Sequence, residues 1–327
     1  MLNHPLPRLD KDKILRSLLL PYCRFTEGTV WIDNLKGHKI ACVDAGKSTE
    51  VKKVFGNSKV TLSIQDPPYN FIAFSVKRNE EFIDWCKNWV SVNIELSKKK
   101  SSFYFWIGAN QADHFEPMAG FINMMKSTGL KSRSFITMRN QRGYGTQKNW
   151  MAVRQELLFY TKGSPDFNIK AEYTELPKTL KGYFKVIAGE RTENLERSKS
   201  QFIRAGNVWI DVQQVFYRME ENVNGCFVQK PLKAIKRIIE ASSNQKDLVT
   251  DFFAHSGTTL IACELMNRKC ITLDYDPVFC EITLRRLENL RANGKTGWQN
   301  SNPFYNEISC DKKILKHLNK KYNITYN

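Results

Sequence analysis

The run Val60-Thr61-Leu62-Ser63-Ile64-Gln65-Asp66-Pro67-Pro68-Tyr69-Asn70 decides how the chain reads. Val60 to Ile64 is apolar and β-branched, the mark of a buried strand. Two consecutive prolines cannot continue a sheet ladder and hold φ near one value, so the chain leaves this strand stiffly. That stiffness fixes the Asp66 carboxylate, the prolyl carbonyls and the Tyr69 ring at the strand's carboxyl end, where open α/β sheets bind ligands. Acceptors beside an aromatic plate are suited to gripping the exocyclic amino group of an extruded base while stacking on its ring. Taken alone, these residues are explained as well by a plain Pro-Pro turn with Asp66 as a turn residue.

The surrounding composition narrows the class. A chain of 327 residues holds one large or two modest domains. Its 50 Lys and Arg outnumber 33 Asp and Glu, giving a net charge of +17. Such a field attracts polyanions, and nucleic acid is the leading partner, although a basic protein without that partner has the same charge. The eight cysteines form no C-x-x-C pair and several sit in apolar runs. Buried thiols in a reducing compartment are therefore expected, rather than disulfides or a metal site. Ile14 to Leu20 is too short to cross a membrane and is interrupted by Arg16 and Ser17. The start lacks a signal-peptide layout. The expectation is a soluble cytoplasmic protein.

Five segments are expected. Residues 1–36 form an N-terminal extension whose one amphipathic helix, Lys11 to Leu20, stops at Pro21. Residues 37–163 begin with a strand over Lys39 to Val43 and contain the Asp66 turn. A loop carrying Lys77 and Arg78 follows, then a helix from Glu80 to Ser97 with Lys98-Lys99-Lys100 as its solvated C-terminal cap. Phe103 to Ile107, Ser134 to Arg139 and Gln155 to Tyr160 read as strands. Phe115 to Lys126 reads as a helix whose Met118, Phe121, Met124 and Met125 face the core. The loop Asn140 to Trp150, with Arg142 and Lys148, suits contact with a nucleic-acid backbone, and a plain surface loop is its competitor.

Residues 164–225 mix charges without apolar periodicity and are too long for an ordinary connection. An inserted module is expected, with Tyr183, Phe184, Phe202 and Trp209 as its core. Residues 226–294 restore order. Pro231 suits a first helical position, and Leu232, Ile235, Ile238 and Ile239 make one face. Asp247 to Phe253 is a strand, and Ala254-His255-Ser256-Gly257-Thr258-Thr259 turns into a helix. Cys270 to Leu273 is the next strand, with Asp274 at its end. Asp276-Pro277 caps a last helix through Leu290. The tail 295–327 offers Trp298 and Phe304 as obvious anchors and no readable role.

Strand, small-residue turn, helix, strand and acid is the layout of a nucleoside-cofactor pocket. The helix N-terminus offers free N–H groups, and the acid can accept both ribose hydroxyls. Four blocks then occur in one order: Asp66-Pro67-Pro68-Tyr69, Gln229-Lys230-Pro231-Leu232, Ala241-Ser242-Ser243-Asn244, and Asp251-x-Phe253-x-x-Ser256-Gly257-Thr258-Thr259. Together they resemble the β-class amino-methylating DNA methyltransferases, over roughly residues 39–163 and 206–292. The loop Asn140 to Trp150 with Gln155 to Gly163 is similar to a further family block, and Val208-Trp209 resembles the tryptophan that often closes the recognition region.

The resemblance implies an α/β, Rossmann-like fold: a mixed, mostly parallel sheet with helices on both faces and an inserted target-recognition region at 164–225. It implies Asp66, Pro67, Pro68 and Tyr69 as the catalytic motif. It implies S-adenosylmethionine held by Asp66, Lys230, Asp251, Phe253, Ala254, His255, Ser256, Gly257, Thr258, Thr259 and Asp274. Double-stranded DNA with its target adenine extruded is the implied substrate, and Lys77, Arg78, Arg139, Arg142 and Lys148 are candidate DNA contacts. A homodimer and a companion restriction endonuclease are consistent with it, as is a prokaryotic or phage origin. Cytosine-N4 or RNA methylation is the rival within the class.

Two positions depart from the family pattern. Phe252 stands where proline is usual, and His255 where glycine is usual. They motivate a rival of another class, a non-catalytic nucleic-acid binder on the same scaffold.

Overall fold

The computed structural model describes residues 6–68, 79–108, 113–144, 150–168, 173–177, 183–194, 202–204, 206–299 and 301–326. Its strands are β1 (Val30–Ile32), β2 (Lys39–Cys42), β3 (Val60–Gln65), β4 (Ser97–Trp106), β5 (Lys131–Tyr144), β6 (Ala152–Lys162), β7 (Tyr173–Pro177), β8 (Tyr183–Ile187), β9 (Glu190–Asn194), β10 (Phe202–Arg204), β11 (Val208–Trp209), β12 (Leu248–Asp251) and β13 (Lys269–Asp274). Its helices are α1 (Lys13–Leu19), α2 (Ser48–Phe55), α3 (Asn79–Leu96), α4 (Met118–Met125), α5 (Leu232–Ser242), α6 (Thr258–Leu265), α7 (Pro277–Asn293), α8 (Tyr305–Cys310) and α9 (Lys312–Tyr322).

Nine strands form one sheet in the order β1-β2-β13-β12-β3-β4-β6-β5-β11 among the described residues. The run from β2 to β4 is parallel throughout, and β1 and β6 lie antiparallel to their neighbours. This is the mixed, mostly parallel sheet expected from the sequence. Strand alternation builds a core on each face. Phe103 and Phe105 of β4 point to the face covered by α2, α3 and α4. Tyr104 and Trp106 point to the face covered by α5, α6 and α7. Met118, Phe121, Met124 and Met125 are buried in the first of these, as expected. β3 and β12, far apart in sequence, pair directly through Val249 with Leu62 and Thr250 with Ser63. Their carboxyl ends thus meet in the middle of the sheet.

Three local expectations change. Lys98 to Lys100 lie inside β4 rather than capping a helix. Ser97 already pairs with Val60, and Lys98 Nζ reaches Asp247 at 3.2 Å. β5 continues to Tyr144, through residues expected in a loop, because it stays paired with β6 as far as Ala152. Pro231 stands just ahead of α5 with extended backbone instead of inside its first turn.

Within 164–225, the described residues form two antiparallel pairs, β7 with β10 and β8 with β9. The chain then returns to the main sheet, where Trp209 pairs alongside Met138. The tail is also ordered: Ile308, Ile314 and Leu318 of α8 and α9 pack with Leu9, Leu15 and Leu19 and with Phe279 and Ile282 of α7. In α9 only Ile314 and Leu318 are buried among many lysines, so its apolar face is one narrow stripe.

Candidate active site

The site forms where β3 and β12 end side by side. Gln65, fully buried, locks the two ends together. Its Oε1 accepts the Phe252 N–H at 2.9 Å, and its Nε2 donates to Ser63 Oγ at 2.9 Å and reaches the Thr250 carbonyl at 3.4 Å. Asn93 of α3 donates to the same Ser63 hydroxyl at 2.7 Å. Phe252 can serve here because, unlike the proline usual at this position, it has an N–H to give. Its ring packs edge-on against Phe55 at 5.8 Å, and Phe253 packs on Trp85 and Trp89.

Asp66 follows directly and is half-buried. Lys230 Nζ lies 2.7 Å from its Oδ2 and 5.5 Å from the centre of the Trp106 ring. Lys230 is placed by its neighbour. Gln229 Oε1 accepts the Val223 N–H at 3.0 Å, and its Nε2 donates to the Glu221 carbonyl at 2.7 Å. Glu221 in turn accepts the Leu232 N–H at 2.7 Å, satisfying a free donor at the start of α5. Trp106 is buried beneath the cleft, and among the described residues its indole N–H has no acceptor.

The second wall is the turn between β12 and α6. Asp251 accepts the Phe253 N–H at 2.9 Å and the Thr259 hydroxyl at 2.6 Å. His255 and Gly257 both have left-handed backbone, with φ of 47° and 73°. At Gly257 a Cβ would also stand 2.9 Å from Thr283, so glycine is required there. Arg286 of α7, fully buried, donates to the Ser256 carbonyl at 2.8 Å and to Thr258 Oγ1 at 3.0 Å, pinning the turn from behind. Asp274, at the end of β13, accepts the His255 N–H at 2.9 Å through Oδ2 and the Asp276 N–H at 3.0 Å through Oδ1. Each oxygen keeps a second acceptor direction.

Burial sets the charges. Asp251 and Asp274 are each pushed up to about 7, chiefly by loss of water, with their accepted hydrogen bonds opposing the rise. Burial lowers His255 to about 4, so its ring is neutral near pH 7 and packs 4.9 Å from Phe279. Arg286 falls to about 10 and stays charged.

Asp66, Lys230, Asp251, Phe253, Ala254, His255, Ser256, Thr258 and Thr259 line one cleft, with Ile64, Trp106 and Ile235. Gly257 lies within the turn and Asp274 holds the His255 N–H, but neither is part of that cleft wall. Pro67 is buried and Pro68 half-buried behind Asp66. Arg139 is exposed on β5 opposite Arg154, three residues past Ile136, which shares the Trp106 row through Leu157. It therefore stands at the sheet end that carries Asp66. Tyr69, Lys77, Arg78 and Lys148 lie outside the described residues, as does the side chain of Arg142. Gln65, Glu221, Trp106 and Arg286 were not foreseen. Gln65 stands in the deciding run but carried no assigned role, Glu221 belongs to no motif read from the sequence, and a buried arginine in an amphipathic helix looks like a surface residue.

The chain is similar to known proteins over most of its length. The family model described as DNA methylase, for N6 and N4 amino-methylation, matches residues 60–285. The type II methyltransferase M1.MboII of Moraxella bovis is 28% identical over 273 residues, covering 79% of this chain and 98% of its own length. The DNA adenine methyltransferase YhdJ of Escherichia coli strain K12 is 28% identical over 244 residues, covering 73% of this chain and 79% of its own. Among solved structures, the cytosine-N4-specific PvuII DNA methyltransferase superposes with a TM-score of 0.55 at 15% identity, covering 80% of this chain and 89% of its own. That likeness is one of fold.

Proposed function

The chain belongs to the N6/N4 DNA methylase family, and on that premise we propose that it methylates the N6 amino group of an adenine extruded from DNA, using S-adenosylmethionine. Methylation of an exocyclic amino nitrogen, adenine N6 or cytosine N4, is the family's reaction. One observation carries the reading: Asp66 and the turn that ends at Thr259 face one cleft, with Lys230 tied to Asp66 across it.

The residues present fit S-adenosylmethionine. Asp274 offers a carboxylate fixed by two backbone N–H groups, with acceptor directions left for two hydroxyls. Gly257 lets the turn pack closely on Thr283, and among the described residues no side chain caps the start of α6, where helix N–H groups face outward. When bound, the cofactor supplies an electrophilic methyl group. The protein's own part is positioning and exclusion of water. Asp66 and the Pro67 carbonyl accept the amino hydrogens, drawing the nitrogen lone pair out of conjugation with the ring. Lys230 holds one Asp66 oxygen in place. Tyr69, by its place in the motif, stacks on the base.

Adenine is favoured over cytosine by the aspartate ahead of Pro67-Pro68 and by the likeness to an adenine methyltransferase at 28% identity. Cytosine N4 is the second reading, because the cytosine-specific PvuII enzyme shares the fold. Arg139, with Lys77, Arg78, Arg142 and Lys148, is assigned to the DNA backbone, and residues 164–225 to target recognition. Base-resolution methylation mapping of DNA from an expressing host tests the assignment. N6-methyladenine at one recurring sequence, absent with Asp66→Ala, is expected. N4-methylcytosine would move the assignment to the second reading, and unmodified DNA would overturn both.

A further inference from the structure

The N-terminal segment lies against both loops that flank the cofactor side of the cleft. On one side Leu6 and Leu9 close on Gly225, where an added Cβ would meet Leu6 at 2.8 Å and Leu9 at 3.0 Å. The Leu9 N–H also donates to the Gly225 carbonyl at 3.0 Å, in the loop that leads to Lys230. On the other side Arg16 Nη1 reaches Asp276 Oδ2 at 2.6 Å, with both side chains mostly buried. Resting on the cofactor reading above, we propose that Arg16 is a positioning residue of the S-adenosylmethionine site, acting on Asp274 through Asp276.

Asp276 is the joint. Its Oδ1 accepts the Val278 N–H at 2.9 Å and caps α7, its Oδ2 takes Arg16, and its own N–H donates to Asp274 Oδ1. One guanidinium therefore fixes the residue whose N–H holds Asp274 Oδ1. It also sets a positive charge beside the Asp276 carboxylate, two positions from Asp274. Without it the negative field of Asp276 acts on Asp274 uncompensated.

α1 is anchored firmly enough to hold that guanidinium in place. Asp12 accepts the Leu15 N–H at 3.0 Å, and its other oxygen is 2.8 Å from both His317 Nε2 and the Tyr322 hydroxyl of α9. Leu15 and Leu19 are fully buried. Apolar contact alone would hold the segment down. The guanidinium is instead directed at the loop after the acid.

Equilibrium binding of labelled S-adenosylmethionine to the full chain tests this, with thermal melts on the same samples. Arg16→Ala is expected to weaken binding about tenfold, and Arg16→Lys to recover most of the loss. Tyr22→Phe is the control for packing. It removes a hydroxyl that donates to Asp311 at 2.8 Å in the same terminal cluster without touching Asp276, so affinity should hold. An unchanged affinity in folded Arg16→Ala overturns the proposal and leaves the cofactor reading standing. So does a loss in Tyr22→Phe equal to that in Arg16→Ala at matched melting temperature. A wild-type chain that binds no S-adenosylmethionine overturns the cofactor reading and this inference with it.

Discussion

Lys230 Nζ sits 2.7 Å from Asp66 Oδ2, joining residues 164 positions apart across the mouth of the cleft. Lys230 is almost fully buried, whereas the Asp66 side chain is 30% exposed. The ammonium therefore depends on this partner more than the carboxylate does. Removing one member of a fully buried pair costs about 3–5 kcal/mol, and less where water reaches one side.

Lys230→Met should separate catalysis from binding. It keeps the stem but removes the ammonium's hold on Asp66 Oδ2, so single-turnover methylation should fall by about tenfold or more. Lys230→Arg, which keeps the charge, should fall less. A Lys230→Met variant that methylates at the wild-type rate would show that the pair does not position Asp66.

Gln65 and Phe252 should be coupled. Phe252→Pro restores the usual family residue but removes the N–H that Gln65 Oε1 accepts. A buried acceptor left unpaired costs about 1–3 kcal/mol. Denaturant melts of Phe252→Pro, Gln65→Leu and the double variant test this. The double variant should lose less stability than the two single losses added together. Simple additivity would mean that Gln65 does not depend on that N–H.

Cofactor affinity should depend on pH through Asp274. Burial raises it from 3.8 to about 7, and ribose hydroxyls are best accepted by the ionised form. Affinity should therefore rise as pH climbs through about 7 and level off above it. Below that range the acid holds its proton and binding weakens. In the free protein the sign is opposite: between the ordinary carboxylate value and about 7 the folded chain holds protons that the unfolded chain has lost. The contribution of Asp274 to stability therefore falls as pH rises across that window. Asp251, also near 7, titrates in the same range. Asp274→Asn is the discriminating variant, with weaker binding and a flatter profile expected. A profile unchanged from wild type would assign the dependence to another group.

The sheet was legible because its central strands are short apolar runs closed by turn chemistry. Val60 to Ile64 and Asp247 to Phe253 announce themselves, although the second strand already ends at Asp251, and the family blocks then fix their order. Asp276 and Gly294 behave at the ends of α7 as capping rules expect. What stayed hidden was set by long-range pairing. Lys98 to Lys100 look like a helix end until β3 recruits them into β4. Val208-Trp209 looks like the close of an insertion until β5 offers an edge. Gln65 and Arg286 read as ordinary polar residues, because their roles depend on groups 187 and 30 positions away.

Asp66 and Tyr69 carry the last prediction, since they separate a catalytic motif from a Pro-Pro turn. If Asp66 polarises the amino group, Asp66→Ala should reduce turnover by about a hundredfold or more, as loss of a preorganised polar group does. The same change strands Lys230, so a melting-temperature loss is expected too. Asp66→Asn keeps the shape and an acceptor oxygen, and should melt closer to wild type while remaining slow. If Tyr69 acts through its ring face, Tyr69→Phe should retain substantial activity, whereas Tyr69→Ala should lose about 1–3 kcal/mol of stacking. That loss should shrink on DNA whose target adenine is mismatched, because such a base is already cheap to extrude. A turn-residue role predicts instead that activity follows melting temperature across all four variants. Single-turnover methylation measured beside thermal melts decides between them, and a folded Asp66→Ala protein that still methylates would rule out the catalytic role.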